Sequence, residues 1–325
     1  MTDSSSIDIS VTNIWRSWRA FRHGKKPSRA ILAFEADLER QLLLLVQDLA
    51  TGTYKHDAYA HKIVNEKKRR DIWVATVRDR VVHRLLYDYL MKQIDARFDP
   101  DVWSCRPRKG LHGAIGRTQR LACRHRGAWV CRADVRKFFD HVDHSVLKQC
   151  LARVTQDDTA LWLAEEIVDS YVTPGKSVGM PIGNLTSQLF ANIYLHELDR
   201  FVRHRLRPLA YIRYGDDVVL FASNRHEAVC MRAAIGQYLE QELHLKLHPA
   251  NGGTYKVSCG VYFLGHRIYP DSVVIAPSTV RRMQRRMSLD VVASYHAQQL
   301  SRQDRRDAAW FIAAKTSILR PCMDD

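Results

Sequence analysis

Two adjacent aspartates, Asp216 and Asp217, interrupt the apolar stretch Tyr211-Ile-Arg-Tyr-Gly-Asp-Asp-Val-Val-Leu-Phe221. The β-branched and aromatic residues on either side read as two short strands, with Gly215-Asp216 as the two-residue turn between them. Glycine at the first turn position suits a type II′ hairpin, because it takes a positive φ without steric cost. Two carboxylates at such a tip repel each other unless something neutralises them, and Mg²⁺ is the common answer. A third acid, Asp134, comes from a second candidate strand, Trp129 to Val135. There Trp129, Cys131, Ala133 and Val135 alternate onto one face and leave Arg132 and Asp134 on the other. If the strands are neighbours, three carboxylates converge. That donor set suits two Mg²⁺ ions about 3.5–4 Å apart, which stabilise the attacking and leaving oxygens of an in-line phosphoryl transfer. Alone, an Asp-Asp pair is an ordinary polar turn, so the rest of the chain must decide.

The elements that position these acids follow from periodicity. Residues 1–10 read as disordered. Ile14 to Arg29 is basic and free of acids. Trp15, Trp18 and Phe21 recur every third residue, which packs them on the core and leaves the arginines to meet phosphate. One amphipathic helix is expected over residues 31–50, on Leu32, Leu38, Leu42, Leu45, Val46 and Leu49. Tyr54 to Asp71 reads as extended, with a basic turn from Asn65 to Asp71. Arg78 to Phe98 reads as a helix, Trp103 to Gly113 as a loop, and a further helix reaches about Cys123. Helices follow from about Asp143 to Val154 and Asp158 to Tyr171. Pro174 to Gly183 is a loop, and Asn184 to Leu206 a helix. After the hairpin come a helix (Arg225 to Leu243), a strand pair (Tyr262 to Tyr269) and a basic helical C-terminal stretch. No repeat or long linker divides the chain.

Fifty Lys and Arg stand against 35 Asp and Glu among the 325 residues, a net charge of +15. That excess implies a polyanionic partner, nucleic acid or an acidic membrane surface. No apolar run approaches the ~18 residues that span a bilayer. The polar start, Met1 to Ser6, lacks the regions of a signal peptide. Seven scattered cysteines without a Cys-x-x-Cys pair fit a reducing compartment. A cytoplasmic protein with no membrane partner is expected. His141 with His144, and His244 with His248, lack the cysteine partners of a zinc site.

Asp134-Val-Arg-Lys-Phe-Phe139, Gly179-Met-Pro-Ile-Gly-Asn-Leu-Thr-Ser-Gln188, Tyr214-Gly-Asp-Asp217 and Phe263-Leu-Gly-His266 follow one another in an order that resembles the motif series of reverse transcriptases. Arg78-Asp-Arg80 and the loop from Arg106 to His112 resemble the finger motifs of the bacterial branch. Each motif is weak alone, and their joint order is specific. The resemblance covers roughly residues 15 to 275. It implies an α+β right-hand polymerase fold with fingers, a palm of antiparallel sheet backed by helices, and a short helical thumb. The implied domains are a basic helical extension (1–53), fingers (54–133), palm (134–275, with a fingers insertion at about 155–183) and thumb (276–325).

The resemblance also implies roles. Asp134, Asp216 and Asp217 become the catalytic metal ligands, Val135 lends a main-chain carbonyl, and two Mg²⁺ ions are the cofactor, with Mn²⁺ as a substitute. Of Phe138 and Phe139 one is core, and Phe139 is placed as the gate whose ring collides with a ribose 2′-hydroxyl. Gly183, Ser187 and Gln188 line the nucleotide. Lys68 and Arg70 grip the triphosphate, with the contacting residue among Lys67 to Arg70 left open. Tyr214, Gly215, Arg106, Phe263, Leu264 and Gly265 meet primer or template, the last three resembling the primer grip.

Two departures matter. Ile182-Gly183-Asn-Leu-Thr-Ser187-Gln188 stands where many members have Gln-Gly-x-x-x-Ser-Pro, and it resembles the form in diversity-generating retroelement and defence-associated enzymes. After Leu247-His-Pro249 the family often has a lysine that acts as general acid. This chain has Ala-Asn-Gly-Gly, so either Lys246 or Lys256 substitutes or the role is lost. The implied function is RNA-directed DNA synthesis, making cDNA from dNTPs on a template or structured noncoding RNA. An accessory protein or self-association is expected, in antiphage defence or a diversity-generating retroelement. The alternative is a catalytically idle RNA-binding scaffold on the same fold. RNA-templated RNA synthesis is disfavoured by Phe139.

Overall fold

A computed structural model describes residues 6–65, 69–171 and 177–285. Along the chain run α1 (Val11–Arg22), α2 (Arg29–Glu35), α3 (Leu38–Ala50), β1 (Ala60–Asn65), β2 (Arg69–Val74), α4 (Val77–Ile94), α5 (Leu111–Arg124), β3 (Trp129–Val135) and the short α6 (Phe138–His141). Then come α7 (His144–Ala152), α8 (Asp158–Asp169), α9 (Leu185–Phe201), β4 (Ala210–Tyr214), β5 (Asp217–Ala222), α10 (Arg225–Glu242), β6 (Leu247–Lys256), β7 (Val261–Phe263), β8 (His266–Ile268), β9 (Val273–Ile275) and α11 (Pro277–Arg285). The described residues fall into two units. One draws on Met1–Asp99, Val135–Phe201 and Gly236–Leu247, the other on Pro100–Asp134, Val202–Ile235 and His248–Asp325.

In the first unit α4 is the axis. The Thr76 hydroxyl caps it by accepting the Asp79 N–H. Val81, Val82, Leu85, Leu86, Leu90 and Ile94 are all buried, because α1, α2, α8 and α9 pack around it. A helix apolar on every side belongs inside a bundle. α1 buries Ile14, Trp18 and Phe21, but Trp15 remains 43% exposed, contrary to the expected stripe. A three-residue repeat falls short of a 3.6-residue turn, so over six residues the row drifts about 120° off the buried face. The single helix expected over 31–50 is two helices. Asp37 breaks it with φ −131° and ψ 37° at the N-cap position of α3, where aspartate competes with helical backbone. Residues 6–10, expected to be disordered, are anchored: Ile7 is buried and its N–H donates to Asp157 Oδ2 at 2.6 Å. β1 and β2 form an antiparallel hairpin, Asn65 opposite Arg69.

The second unit holds a four-stranded sheet in the order β4-β5-β3-β6 and a three-stranded sheet, β7-β8-β9. α5 supplies Ala114, Ile115, Leu121 and Ala122 to one core with Val130, Ile212, Val219 and Phe221 of the larger sheet and Val261, Phe263 and Ile268 of the smaller. The alternation read for β3 holds from Cys131 on, with Cys131, Ala133 and Val135 buried and Arg132 and Asp134 half-buried, but it fails at the start of the strand, where Trp129 is half-buried and Val130 is buried. β6 was not expected, and Pro249 and the Gly252-Gly253 pair are residues that disfavour a strand interior. An edge strand tolerates proline. Gly252 takes φ +118°, and a Cβ there would lie 2.5 Å from the Arg132 carbonyl oxygen. Only glycine lets β6 approach β3 so closely. Among the described residues no helix is long and apolar enough to cross a membrane.

Candidate active site

The β4–β5 hairpin closes on Tyr214 opposite Asp217, with Gly215-Asp216 as its turn. Gly215 has φ +63°, and Asp216 is not among the residues of positive φ, which matches a type II′ turn and excludes I′. The tip is pinned from beneath. The Gly215 N–H donates to Ser104 Oγ at 2.8 Å. The fully buried Arg213 donates Nη1 to the Gly215 carbonyl at 3.0 Å. Its own backbone is bracketed by the Asp101 carbonyl and the Trp103 N–H, both at 2.9 Å. Asp101 is in turn clamped by Arg117 through Nε at 2.8 Å and Nη2 at 2.9 Å. A tip held this way presents its side chains in fixed directions.

The antiparallel register of β3 and β5 sets Asp134 directly opposite Asp217, so the neighbour relation needed for convergence is met. Arg132, two residues before Asp134 on the same face, clamps Asp217 side-on: Nε to Oδ1 at 2.9 Å and Nη2 to Oδ2 at 2.8 Å. Asn251 of β6 donates Nδ2 to Asp134 Oδ2 at 2.8 Å. No side chain donates to the Asp216 carboxylate among the described residues. Burial, then the Asp134 charge and that of Asp217, pushes Asp216 from 3.8 up to about 6. Burial also pushes Asp217 up to about 6, against the pull of Arg132. Burial works against the Arg132 charge, but Asp217 outweighs it and holds the guanidinium above its ordinary range. Among the described residues no group of three or more His, Cys, Asp or Glu is arranged to hold a metal ion. Of the three acids, Asp217 is answered by Arg132 and Asp134 by Asn251.

The model of the family described as reverse transcriptase (RNA-dependent DNA polymerase) matches residues 55–268, more than half of the chain. The chain belongs to the reverse transcriptase family. Protein YkfC of Escherichia coli (strain K12) is 27% identical over 278 residues, 72% of either chain. Group II intron-encoded protein LtrA of Lactococcus lactis subsp. cremoris is 27% identical over 172 residues, which are 50% of this chain and 28% of LtrA. An apo telomerase from Candida tropicalis superposes with a TM-score of 0.50 at 12% identity, over 79% of this chain and 56% of that one. That likeness is one of fold, and it agrees with the α+β polymerase class read from the sequence.

The other residues expected to serve a reverse transcriptase lie as follows. Phe138 is buried and Phe139 half-buried, their rings edge to face with centroids 5.3 Å apart, so one is core and the other is not. Gly183 has φ +107°, and a Cβ there would meet Ile72 Cγ2 at 3.0 Å. Ser187 is buried and Gln188 exposed. Phe263 is fully buried in the second unit's core, so any contact of that turn with a primer falls to Leu264 and Gly265. Val135 is buried. Arg106 donates Nη1 to the Val102 carbonyl at 3.3 Å. Arg70 pairs with Val64 across the β1–β2 hairpin, and Lys68 lies outside the described residues. Neither proposed substitute for the missing lysine is idle: Lys246 pairs with Glu240 at 3.3 Å, and Lys256 Nζ lies 5.8 Å from the Trp129 ring centre.

Arg132, Asn251, Arg213 and Ser104 were not singled out as site residues from the sequence. Gly252 is part of the same arrangement, because it brings Asn251 within reach of Asp134. Gly252→Ala is expected to cost on the order of 1–3 kcal/mol in backbone strain, with the clash against β3 added. The expected result is a thermal midpoint lower by several degrees, by about 2–4 °C per kcal/mol. A midpoint equal to that of the parent chain would show that β6 does not lie against β3 as described.

Proposed function

We propose that the chain is an RNA-directed DNA polymerase that copies a bound template or structured noncoding RNA into cDNA. The observation that carries this reading is the register of Asp134 opposite Asp217, with Asp216 on a pinned tip, in a member of the reverse transcriptase family. Carboxylate oxygens on rigid strands suit a hard divalent cation, and Mg²⁺ takes one or two carboxylates plus substrate phosphates. Asp134 and Asp216 would hold the ion, Mg²⁺ or Mn²⁺, with Asp217 and the Val135 carbonyl beside them. When bound, it would supply charge neutralisation at the triphosphate and at the attacking 3′-hydroxyl.

The remaining roles fall to the chain's own groups. Asn251 orients Asp134 by occupying one of its oxygens. Phe139 excludes a ribose 2′-hydroxyl. Gly183, Ser187 and Gln188 line the incoming nucleotide, with Gly183 giving the backbone room beside it. Lys68 and Arg70 grip the triphosphate. Tyr214, Gly215, Leu264, Gly265 and Arg106 guide primer and template. Residues 54–133 would serve as fingers, 134–275 as palm and the residues from 276 on as thumb. A basic excess of +15 suits a tightly held RNA.

The scaffold alternative has one observation in its favour: Asp217 is already neutralised by Arg132. Sequencing the nucleic acid that copurifies with the protein separates the two. RNA together with complementary DNA is expected; RNA alone would favour the scaffold. Errors scattered at template adenines would indicate a diversity-generating retroelement, and a short product copied from a noncoding RNA would indicate defence.

The pH dependence of cation binding follows from the buried acids. Both Asp216 and Asp217 bind protons more tightly in the fold than their ordinary 3.8, with values of about 6. The fold therefore holds more protons than the unfolded chain between these values, and these groups lower its stability as pH rises through that window. A cation offsets that loss only where the acids are ionised. The Mg²⁺-induced rise in thermal midpoint is expected to be clear at about pH 8 and to shrink toward zero at about pH 5. An equal rise at both would place the ion elsewhere.

A further inference from the structure

The three acids of the site are not equivalent. Among the described residues Asp216 receives no side-chain donor, Asp134 receives one from Asn251, and both oxygens of Asp217 are taken by one guanidinium. The Arg132–Asp217 pair is largely shielded, its side chains only 17% and 15% exposed. A side-on pair of this kind is the strongest form of carboxylate recognition. Arg132 is fixed on other sides as well. Its guanidinium carbon lies 5.4 Å from the Tyr262 ring centre, and its carbonyl oxygen faces Gly252 at the closest approach of β6. Tyr262 is itself tied down, its N–H donating to Tyr255 Oη at 3.0 Å. To hand Asp217 to a cation, the chain would have to leave a shielded guanidinium without its counter-charge, beside a divalent ion of the same sign. Removing one partner of a shielded pair costs far more than the pair itself is worth.

We propose that Arg132 is a positioning residue that reserves Asp217 as its own counter-ion, so that the divalent cation falls to Asp134 and Asp216. The inference rests on the cation-dependent polymerase reading and assigns different work to the two adjacent aspartates within it. Arg132 then sets how tightly the site binds its ion, because it both withholds a ligand and contributes a positive charge a short distance from the ion.

A double-mutant cycle on the full-length chain tests this, read by Mn²⁺ binding through loss of the free-ion paramagnetic resonance signal. D217N is expected to weaken Mn²⁺ binding about 10-fold or more, because the freed guanidinium repels the ion. R132Q alone is expected to tighten it, since Asp217 becomes available. R132Q/D217N, with the charge pair removed, should return to within about threefold of the parent chain. If Asp217 were itself a ligand, the double variant would bind as weakly as D217N and R132Q would bind more weakly than the parent. Either result overturns the proposal, as does an unchanged affinity in D217N. R132K keeps the charge but cannot span both oxygens. Should R132Q not fold, R132K is read as a single variant only, with a smaller tightening expected because the charge remains, and unchanged or weaker binding would overturn the proposal. Absence of Mn²⁺ binding by the parent chain is a different failure, that of the cation reading itself.

Discussion

Asp216→Asn is expected to lower Mg²⁺-dependent nucleotide addition on an RNA template by at least about 10³-fold, the scale on which a charged group at a reacting centre acts. Asparagine has nearly the same shape, so the hairpin keeps its register. The tip is held by groups that the substitution does not touch: Ser104 on the Gly215 N–H and Arg213 on its carbonyl. The loss cannot be traced to unfolding either. Burial and the Asp134 and Asp217 charges make an ionised Asp216 unfavourable, with its carboxyl pushed up to about 6. Above that pH the variant is relieved of a repelling buried charge. In metal-free buffer its thermal midpoint should therefore be equal to or above that of the parent chain. A stable variant without activity is the expected pair of results, and incorporation at the parent rate would remove Asp216 from the chemistry.

Phe139→Ala carries the second large effect. The Phe139 ring is half-buried and rests edge to face on Phe138, which is itself packed against Tyr194 at 6.1 Å between ring centres. The Phe139 carbonyl also accepts the Met180 N–H at 2.7 Å. Backbone and neighbour together fix where the ring stands, so it can act as a wall. Removing a wall that rejects one hydroxyl is expected to reduce the preference for dNTPs over rNTPs by about 10²-fold. The measurement is kcat/KM for matched deoxy- and ribonucleotides on one template. The fold should survive, because Phe138 supplies the buried contact. A preference unchanged from the parent would free Phe139 from the gate and return the RNA-polymerase reading to consideration.

These tests rest on parts of the molecule that differ in how openly the sequence declares them. The hairpin and the alternation of β3 from Cys131 to Val135 are local patterns, set by period-two burial and a glycine at the turn, and both were legible, whereas the buried Val130 was not. The face shared by Arg132 and Asp134 was legible too. The partner of Arg132 was not, because it depends on which residue of β5 lies opposite β3, and register between distant strands leaves no local trace. Asn251 was hidden for another reason. Pro249 and paired glycines signal a turn in most contexts, whereas here they serve an edge strand that must approach β3 closely. The helix break at Asp37 was masked by leucines whose spacing continues across it. Phe263 reads as part of a motif, yet its ring is core. A family motif marks a position in the fold without saying whether backbone or side chain acts there.

The central claim is that these acids serve DNA synthesis directed by RNA. The most direct test is extension of a labelled DNA primer on a heteropolymeric RNA template by the purified full-length chain, with all dNTPs and Mg²⁺. The predicted result is a product complementary to the template, absent when the ion is chelated and absent with Asp216→Asn. A chain that binds the primed RNA but extends no primer in Mg²⁺ or in Mn²⁺ would contradict the account.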